Sequence, residues 1–346
     1  MKNELNWLNA LVPDLVQSLR QRYRVLQQIA WLQPVGRRTL SGELEMSERV
    51  LRRETDLFRE QGLLDSSKSG MILTAEGKEL VAHLDVIMSK LNDTFVLGEQ
   101  LAHHLGIQRV IIIPGDSGSH TQVLKSMGEE LNRVLDKLLP LGSSTIAAMG
   151  GTTMAAVATA LTPQLSKQRQ LLFVPARGGL GETMGIQANT ICAEMAAHSS
   201  GNYRNLYVPE DISPESFQSL VGEPVVRSVL EQISRANVVI HSIGRAKVMA
   251  QRRNMTTSEI QLLEERQAVS EAFGVFLDVH GQVVYKVPKI GLQVSDLDKV
   301  SDVIAIAGGA QKAQAIQSYM KIAPHQTILI TDEAASEMIL RDKPLK

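Results

Sequence analysis

Two glycine-rich segments of this 346-residue chain have the residue types and spacing that bind phosphate. Gly150-Gly151-Thr152-Thr153 follows an apolar run and opens a predicted helix, and Gly308-Gly309-Ala310-Gln311-Lys312 repeats the arrangement near the C-terminus. Backbone N–H groups at a helix start point outward, and glycine lets an anion approach them closely. The threonine hydroxyls and the Lys312 ammonium would add donors. A structural glycine turn remains the alternative for either segment alone, but the pair predicts a phosphate site.

The motifs of nucleotide-binding loops and of metal sites are missing from the sequence. It contains no G-x-x-x-x-G-K-[ST], and no G-x-G-x-x-G stands at the end of a predicted strand. No H-x-x-x-H pair or Cys/His cluster occurs. His241 lies within an apolar run, which is typical of a core histidine, and the single cysteine, Cys192, is expected to be a buried thiol. We therefore expect no cofactor and no metal.

Three arginines near the N-terminus have the spacing of a DNA-reading surface. Arg49, Arg52 and Arg53 lie at i, i+3 and i+4, so they share one face of a predicted helix that follows Ser47, a favourable N-cap. Guanidinium groups on such a face reach phosphates and the O6/N7 edge of guanine in a major groove, which admits one helix. The alternative is a solvated helix face whose glutamates neutralise the arginines.

The elements around these arginines predict a winged helix-turn-helix. Residues 37–46 suit a short helix and a turn, and Arg37 and Arg38 on this helix would also contact DNA. Gly62-Leu63-Leu64 ends the longer helix in an apolar turn. The polar tract 65–70, which lies between apolar residues, suits a two-stranded wing.

The rest of the chain has the pattern of a doubly wound α/β domain with a parallel sheet. Short apolar runs alternate with helical segments, at residues 110–113, 145–149, 171–174, 238–240, 303–307 and 327–330. Continuous apolar strands of this kind are covered by helices on both faces. Ligands of such sheets bind beyond the carboxyl ends of the strands, where both glycine-rich segments stand.

Composition divides the chain into three parts: residues 1–75, a helical linker at 76–105, and residues 106–346. In the linker, Leu80, Leu84, Ile87 and Leu91 have the spacing of a coiled-coil seam, so the helix either dimerises or packs on its own domain. A homo-oligomer, either a dimer or a tetramer, is the expectation. The balance of 44% hydrophobic and 21% charged residues, one cysteine and no signal-peptide pattern indicate a soluble cytoplasmic protein without a membrane span.

The order of these motifs resembles the SorC family of transcription regulators over nearly the whole chain. The resemblance is carried by Met149-Gly150-Gly151-Thr152-Thr153, by Pro175-Ala176-Arg177-Gly178-Gly179, and by Ile304-Ala305-Ile306-Ala307-Gly308-Gly309 with Lys312. It implies an effector domain with the fold of ribose-phosphate isomerase and glucosamine-phosphate deaminase. Residues 47–54 also resemble the recognition helix of DeoR-type regulators.

Within this family the resemblance is strongest to regulators of glycolysis. It implies a repressor of glycolytic genes that binds double-stranded operator DNA under the control of a phosphorylated sugar, fructose 1,6-bisphosphate. One phosphate would be held by Gly150, Gly151, Thr152, Thr153 and Lys312, with Gly308 and Gly309 beside it. The resemblance assigns the second phosphate and the hydroxyls to Arg177, Gln187, Arg252 and Glu271. Adjacent Arg253 leaves the choice of arginine open, and Glu271 could instead be a helix-surface carboxylate.

Two alternatives differ from this interpretation. One is a regulator that senses a sugar monophosphate. The other is a sugar-phosphate isomerase or deaminase fused to a DNA-binding domain, which needs a general base at the substrate. Where the deaminases have Asp-Gly-His, this chain has Ile243-Gly244-Arg245-Ala246, so Glu271 is the one carboxylate that could act as a base. Binding without turnover is the expectation.

Overall fold

The computed structural model describes residues 11–44, 46–67, 69–91, 94–178, 183–208, 219–287 and 290–341. The chain divides into two compact units, Met1–Phe95 and Val96–Lys346. The segment 76–105, which the sequence sets apart as a linker, forms two helices, one in each unit. No helix among the described residues has the length and apolar character needed to cross a membrane.

The N-terminal unit is a winged helix-turn-helix, which confirms the prediction. Its elements are α1 (Pro13–Leu32), α2 (Arg37–Glu43), α3 (Glu48–Glu60), β1 (Leu64–Ser67), β2 (Gly70–Leu73) and α4 (Ala75–Leu91). Strands β1 and β2 pair antiparallel as the wing, and Val35 bridges to Met71 beside them. Gly62, at φ +72°, lets the chain turn after α3, so that the Leu63 N–H donates to the Phe58 carbonyl at 2.9 Å.

One hydrophobic core holds this unit together. Leu51 and Phe58 of α3 are buried with Leu40 of α2 and with Leu64 and Met71 of the wing. Helix α4 joins the same core through Val81, and Leu80 packs against it. The side chains of Ile87 and Leu91, which complete the predicted coiled-coil seam, lie outside the described residues.

The C-terminal unit contains a parallel sheet of seven strands flanked by helices, as predicted. The strands are β3 (Arg109–Ile113), β4 (Gly142–Ala148), β5 (Arg169–Pro175), β6 (Asn202–Tyr203), β7 (Val238–Ser242), β12 (Asp302–Ile306) and β13 (Thr327–Asp332). Their order is β3-β13-β12-β7-β4-β5-β6. The central strands are buried along most of their length, because helices cover both faces of a parallel sheet.

The helices of this unit precede, connect and follow the strands. They are α5 (Thr94–Leu105), α6 (Thr121–Leu138), α7 (Thr152–Ala158), α8 (Ala188–Ser199), α9 (Pro224–Ser234), α10 (Ala246–Arg252), α11 (Thr257–Glu265), α12 (Ala313–Met320) and α13 (Glu333–Arg341). From β4 the chain proceeds to β5 and β6 on one side, and it returns to β7 on the other side. The carboxyl ends of β4 and β7 therefore flank a topological switch point, where ligands of open α/β sheets bind.

A second sheet of four short antiparallel strands stands beside this point, and the sequence pattern did not predict it. Its strands are β8 (Gly244–Arg245), β9 (Ser270–Ala272), β10 (Val275–Leu277) and β11 (Val283–Lys286), in the order β11-β10-β9-β8. Glu271 lies in the middle of β9, with 4% of its surface exposed. The alternative of a helix-surface carboxylate at this position is therefore wrong.

Candidate functional site

A cavity of about 230 Å³ lies at the carboxyl ends of the parallel strands. Its walls come from the segments that follow β4, β5, β7 and β12 and from strand β9. The described residues that line it are Met149, Gly150, Gly151, Thr152, Thr153, Arg177, Ser242, Ile243, Gly244, Arg245, Val248, Met249, Arg252, Arg253, Glu271, Ala272, Phe273, Gln311 and Lys312. This volume lies below the roughly 300–1,000 Å³ typical of drug-sized ligands, so a small metabolite fits better than a dinucleotide.

The lining of this cavity is strongly cationic. Five basic side chains, those of Arg177, Arg245, Arg252, Arg253 and Lys312, face one acidic side chain, that of Glu271, among the described residues. Like charges gathered at one point repel each other, and an anionic ligand relieves that repulsion. The charge balance therefore indicates an anion site.

Lys312 connects the two glycine-rich segments that the sequence singled out. Its ammonium donates to the Thr153 hydroxyl at 3.4 Å, so the segments after β4 and β12 meet at this contact. The pKa of Lys312 is lowered to about 8, chiefly by burial and then by the charges of Arg252 and Arg245, while the charge of Asp332 acts in the opposite direction. A phosphate beside the ammonium would stabilise the charged form of Lys312 and raise its pKa again.

The glycines of the two turns have a structural role as well as the predicted role in ligand binding. Gly151 has φ +127° and its N–H donates to the Ile186 carbonyl at 2.8 Å. Gly309 has φ +91° and its N–H donates to the Asp332 carboxylate at 2.6 Å. The N–H groups of Gly151 and Gly309 thus already have acceptors within the protein. The cavity lining includes Gly151 but not Gly309.

Asp332 ties the second glycine turn to its neighbours. Its Oδ2 also accepts from the N–H and the hydroxyl of Ser117, at 2.8 and 2.6 Å, and its Oδ1 accepts from the Ala335 N–H at 2.8 Å. Gly308 lies against this carboxylate, and a Cβ there would stand 2.5 Å from Oδ2. Gly308 and Gly309 therefore shape the turn that presents Lys312.

Glu271 and Arg253 form a buried ion pair at the edge of the cavity. The Arg253 Nη2 donates to Glu271 Oε1 at 2.8 Å, and the Gly274 N–H donates to the same oxygen at 2.8 Å. Among the described residues, Oε2 of Glu271 receives no hydrogen bond. Arg253 is thus committed to Glu271, whereas Arg252 lines the cavity without an ion pair in the described part of the chain.

The backbone on either side of Arg177 is held by a neighbouring segment. The Leu292 N–H donates to the Ala176 carbonyl at 2.8 Å, and the Gly178 N–H donates to the Ile290 carbonyl at 3.0 Å. The Arg177 side chain is buried and reaches the cavity. Gln187 caps α8 and lies outside the lining, although its backbone packs against Gly150.

Sequence reasoning missed several residues that line the cavity. The most notable is Arg245, which follows β7 at the switch point and belongs to β8. Met249 and Phe273 add apolar surface, and Gln311 stands beside Lys312. The signal for Arg245 was its place directly after an apolar strand, in Ile243-Gly244-Arg245. The other residues carry no signal that distinguishes them from packing residues.

The predicted DNA-reading face is exposed in the N-terminal unit. Ser47 caps α3 and accepts from the Val50 N–H at 3.4 Å. Arg49 is exposed, and the side chains of Arg52 and Arg53 are 70% and 83% exposed. Of the two residues in α2, Arg38 is exposed and Arg37 is half-buried.

Acidic groups stand near two of these arginines, since Arg52 Nε lies 3.7 Å from Asp56 Oδ2 and Arg53 Nε lies 3.9 Å from Oε1 of Glu54. Glu54 is buried, and its Oε2 accepts from Arg22 Nε of α1 at 2.9 Å. The ion pair anchors α3 to α1 from the inner side. The ion pairs of Arg52 and Arg53 are long and solvent-exposed, so they contribute little and leave both guanidinium groups accessible to DNA.

His241 lies in the core of the C-terminal unit, as predicted. It is fully buried, and its ring packs against Phe273 and Tyr319. Burial lowers the pKa of His241 to about 4, so the ring is neutral near pH 7. No group of three or more His, Cys, Asp or Glu side chains in the described ranges is arranged to hold a metal ion.

Two family models together match nearly the whole chain. Residues 18–88 match the CggR N-terminal DNA binding domain. Residues 89–341 match the Sugar-bind family of sugar-binding domains. The first match covers the winged helix-turn-helix, and the second covers the unit that contains the cationic cavity.

Individual proteins show the same relationship. The chain is 44% identical over 333 residues to the central glycolytic genes regulator of Bacillus subtilis (strain 168), covering 96% of this chain and 97% of that protein. It is 42% identical over 342 residues to the regulator of the same name from Priestia megaterium (strain DSM 319 / IMG 1521), covering 99% of each. A solved SorC family transcriptional regulator from Enterococcus faecalis is 52% identical, with a TM-score of 0.68, and the match covers 70% of this chain and 99% of that chain. This chain therefore belongs to the SorC family of transcriptional regulators, in the group of the central glycolytic genes regulators.

Proposed function

We propose that this chain is a repressor of glycolytic genes whose operator binding is controlled by fructose 1,6-bisphosphate. The observation that carries the proposal is the cavity at the switch point, where five basic side chains face one carboxylate among the described residues. The names of the relatives, which are regulators of central glycolytic genes, support the target genes. The exposed arginines of α3 support the contact with DNA.

The charge of the cavity favours a bisphosphate over a monophosphate. A phosphoryl group carries about −1.5 to −2 charges near pH 7, so a single one leaves part of the cationic lining unbalanced. Basic groups stand on two sides: Lys312 beside Thr153, and Arg177 after β5. A ligand with two phosphoryl groups can contact both sides at once. Glu271 Oε2 could then accept from a sugar hydroxyl.

Replacing Arg177 with alanine tests the second phosphoryl site. We expect the affinity for fructose 1,6-bisphosphate to fall roughly tenfold to hundredfold, because a charge-assisted hydrogen bond contributes about 1.5–3 kcal/mol. Fructose 6-phosphate, held at Lys312, should bind almost as before. Calorimetry with both ligands on both proteins gives the comparison. Arg252 is less suitable, since its charge also acts on Lys312.

A matched control is Arg266→Ala, because Arg266 is exposed and does not line the cavity. It should leave both affinities unchanged. Equal affinities of the unmodified protein for the two ligands would contradict the bisphosphate proposal and would point to a monophosphate sensor. No binding of either ligand would contradict the proposed function as a whole.

We infer that the chain binds the sugar phosphate without turnover. The one carboxylate in the described lining, that of Glu271, is held by Arg253 and by the Gly274 N–H at 2.8 Å each. His241 lies in the core instead of the cavity. The relatives are named as transcriptional regulators, which supports binding without turnover.

A further inference from the structure

Arg245 lies on the side of α10 that faces the cavity, and it does not belong to any of the family motifs. Arg245, Val248, Met249 and Arg252 all line the cavity. Their spacing of i, i+3, i+4 and i+7 places them on one side of a helical turn. Arg245 is the N-cap residue of α10, so it stands at the end of the helix that is next to β7.

The position of Arg245 is fixed by the small antiparallel sheet. In this sheet Arg245 is opposite Ser270, and Gly244 is opposite Glu271. The backbone that carries Arg245 is thus paired with the strand that carries the buried Glu271–Arg253 ion pair. A rigid strand pair of this kind holds a side chain at a defined distance from its neighbours.

Arg245 has no acidic partner in the described part of the chain. No ion pair or hydrogen bond of its side chain joins it to a described carboxylate, and the same holds for Arg252. Both guanidinium groups repel the ammonium of Lys312 and lower its pKa, and among the described residues the charge of Asp332 opposes them. Unpaired cations that converge on one cavity indicate a ligand that supplies the missing negative charge.

We propose that Arg245 contacts the ligand directly and binds, together with Lys312, one phosphoryl group of the sugar phosphate. The inference rests on the proposed function and adds a binding residue to it. Arg245 and Lys312 approach from different strand ends, β7 and β12, so the phosphoryl group is held between them. Arg177 serves the other phosphoryl group.

Calorimetry with Arg245→Ala, Arg245→Lys and Lys247→Ala tests this assignment. In Arg245→Ala the affinities for fructose 1,6-bisphosphate and for fructose 6-phosphate should both fall by the same factor, roughly tenfold to hundredfold. In Arg245→Lys, which keeps the charge, much of the affinity should return. Lys247, two residues away, is 75% exposed, forms an ion pair with Glu264 at 3.7 Å and lies outside the lining. Lys247→Ala also removes one positive charge, but from a side chain that does not line the cavity, so this variant should bind both ligands as the unmodified protein does.

The pH profile provides a readout that a purely structural role would not change. The groups that act on Lys312 are Arg252, Arg245 and Asp332, and Thr153 accepts its hydrogen bond. Removal of Arg245 takes away one of the two charges that lower the pKa of Lys312. The pH above which the affinity begins to fall should therefore move upward in Arg245→Ala and stay unchanged in Lys247→Ala.

Two results would overturn the inference while the proposed function stands. In the first, the unmodified protein and Lys247→Ala bind fructose 1,6-bisphosphate, and Arg245→Ala binds it within about twofold of them. In the second, Arg245→Ala weakens the bisphosphate but spares fructose 6-phosphate, as expected of Arg177→Ala. Arg245 is exposed, so these variants should fold. If Arg245→Ala lost its cooperative thermal transition, Arg245→Gln, which removes the charge but keeps much of the side-chain volume, would take its place in the affinity and pH comparisons.

Discussion

Lys312 and Glu271 are charged residues of the same cavity with opposite local environments. Glu271 has a guanidinium partner and a backbone donor at 2.8 Å, so its charge is balanced within the protein. Among the described residues, Lys312 donates to the Thr153 hydroxyl at 3.4 Å, the charges of Arg252 and Arg245 repel it, and that of Asp332 attracts it. Described protein groups therefore balance the charge of Glu271, whereas they leave the ammonium of Lys312 destabilised. This difference makes Lys312 the residue whose protonation should respond most to the ligand.

The affinity for fructose 1,6-bisphosphate should fall as the pH rises above about 8. The pKa of Lys312 is about 8 in the free protein, and a bound phosphoryl group would raise it. From pH 7, where the phosphoryl groups are largely ionised, up to the free pKa, the ammonium is charged in both states, so the affinity changes little. Between the free and bound pKa values, binding must take up a proton, and the affinity falls by up to about tenfold per pH unit. Calorimetry from pH 7 to 9.5 in buffers of different ionisation enthalpy measures this uptake.

Lys312→Met is the matching variant for this prediction. It should bind more weakly at pH 7 and should show no proton uptake between pH 7 and 9.5. Cys192 does not interfere, because burial raises the pKa of its thiol above this range. Equal proton uptake by the variant and the unmodified protein would contradict the assignment to Lys312.

At the residue scale, the sequence identified most of the charged residues of the cavity but could not choose between adjacent arginines. Arg252 and Arg253 stand side by side at the end of α10, and both line the cavity. Only the pairing of Arg253 with Glu271, 18 positions away in the chain, distinguishes them. A contact between segments this far apart cannot be predicted from the spacing of neighbouring residues in the sequence. The ligand roles of both arginines remain predictions.

At the scale of elements, α3 was predictable because each of its boundaries has a local signal. Ser47 caps its start, and Gly62 takes the positive φ that ends it. The small antiparallel sheet was not predictable, since its strands have only two to four residues. Hydrophobic alternation needs a longer run to appear. That sheet carries Arg245, which was missed with it, and Glu271, which was named as a site residue but could not be placed on a strand.

The exposed face of α3 leads to a prediction about DNA binding. Replacing Arg49, Arg52 and Arg53 together with alanine should abolish specific operator binding, since each arginine that reads a base contributes about 1–3 kcal/mol. An arginine that contacts only phosphate would instead reduce the dependence of affinity on salt. Fluorescence anisotropy at several salt concentrations, on the operator that the unmodified protein protects, separates the two effects.

Arg266→Ala, in the other unit, is the control for this experiment and should bind the operator normally. The triple variant should keep its fold, because these arginines are exposed and Leu51 and Phe58 hold α3 in the core. Unchanged operator affinity of the triple variant at physiological salt would show that α3 is not the recognition helix.

At the scale of the whole molecule, each unit has its own hydrophobic core and its own candidate site. The winged helix-turn-helix core includes Leu40, Leu51 and Phe58. The core of the C-terminal unit extends to α5, which contributes the buried residues Leu101 and Leu105. All described residues that line the cavity lie in the C-terminal unit. Sensing and DNA contact are therefore expected to be separable.

A fragment of residues 94–346 should fold and should bind fructose 1,6-bisphosphate as tightly as the full chain, without binding the operator. A fragment of residues 107–346 should be much less stable, because it lacks α5. The loss of Leu101 and Leu105 alone corresponds to two large-to-small core changes, each costing roughly 2–5 kcal/mol. Thermal denaturation of both fragments with and without ligand measures the difference, and the ligand at 100 times its Kd should add about 2.7 kcal/mol to the longer one. A folded 94–346 fragment without any stabilisation by sugar phosphates would show that the cavity is not the sensor. Equal stability of the two fragments would show that α5 does not belong to the core of this unit.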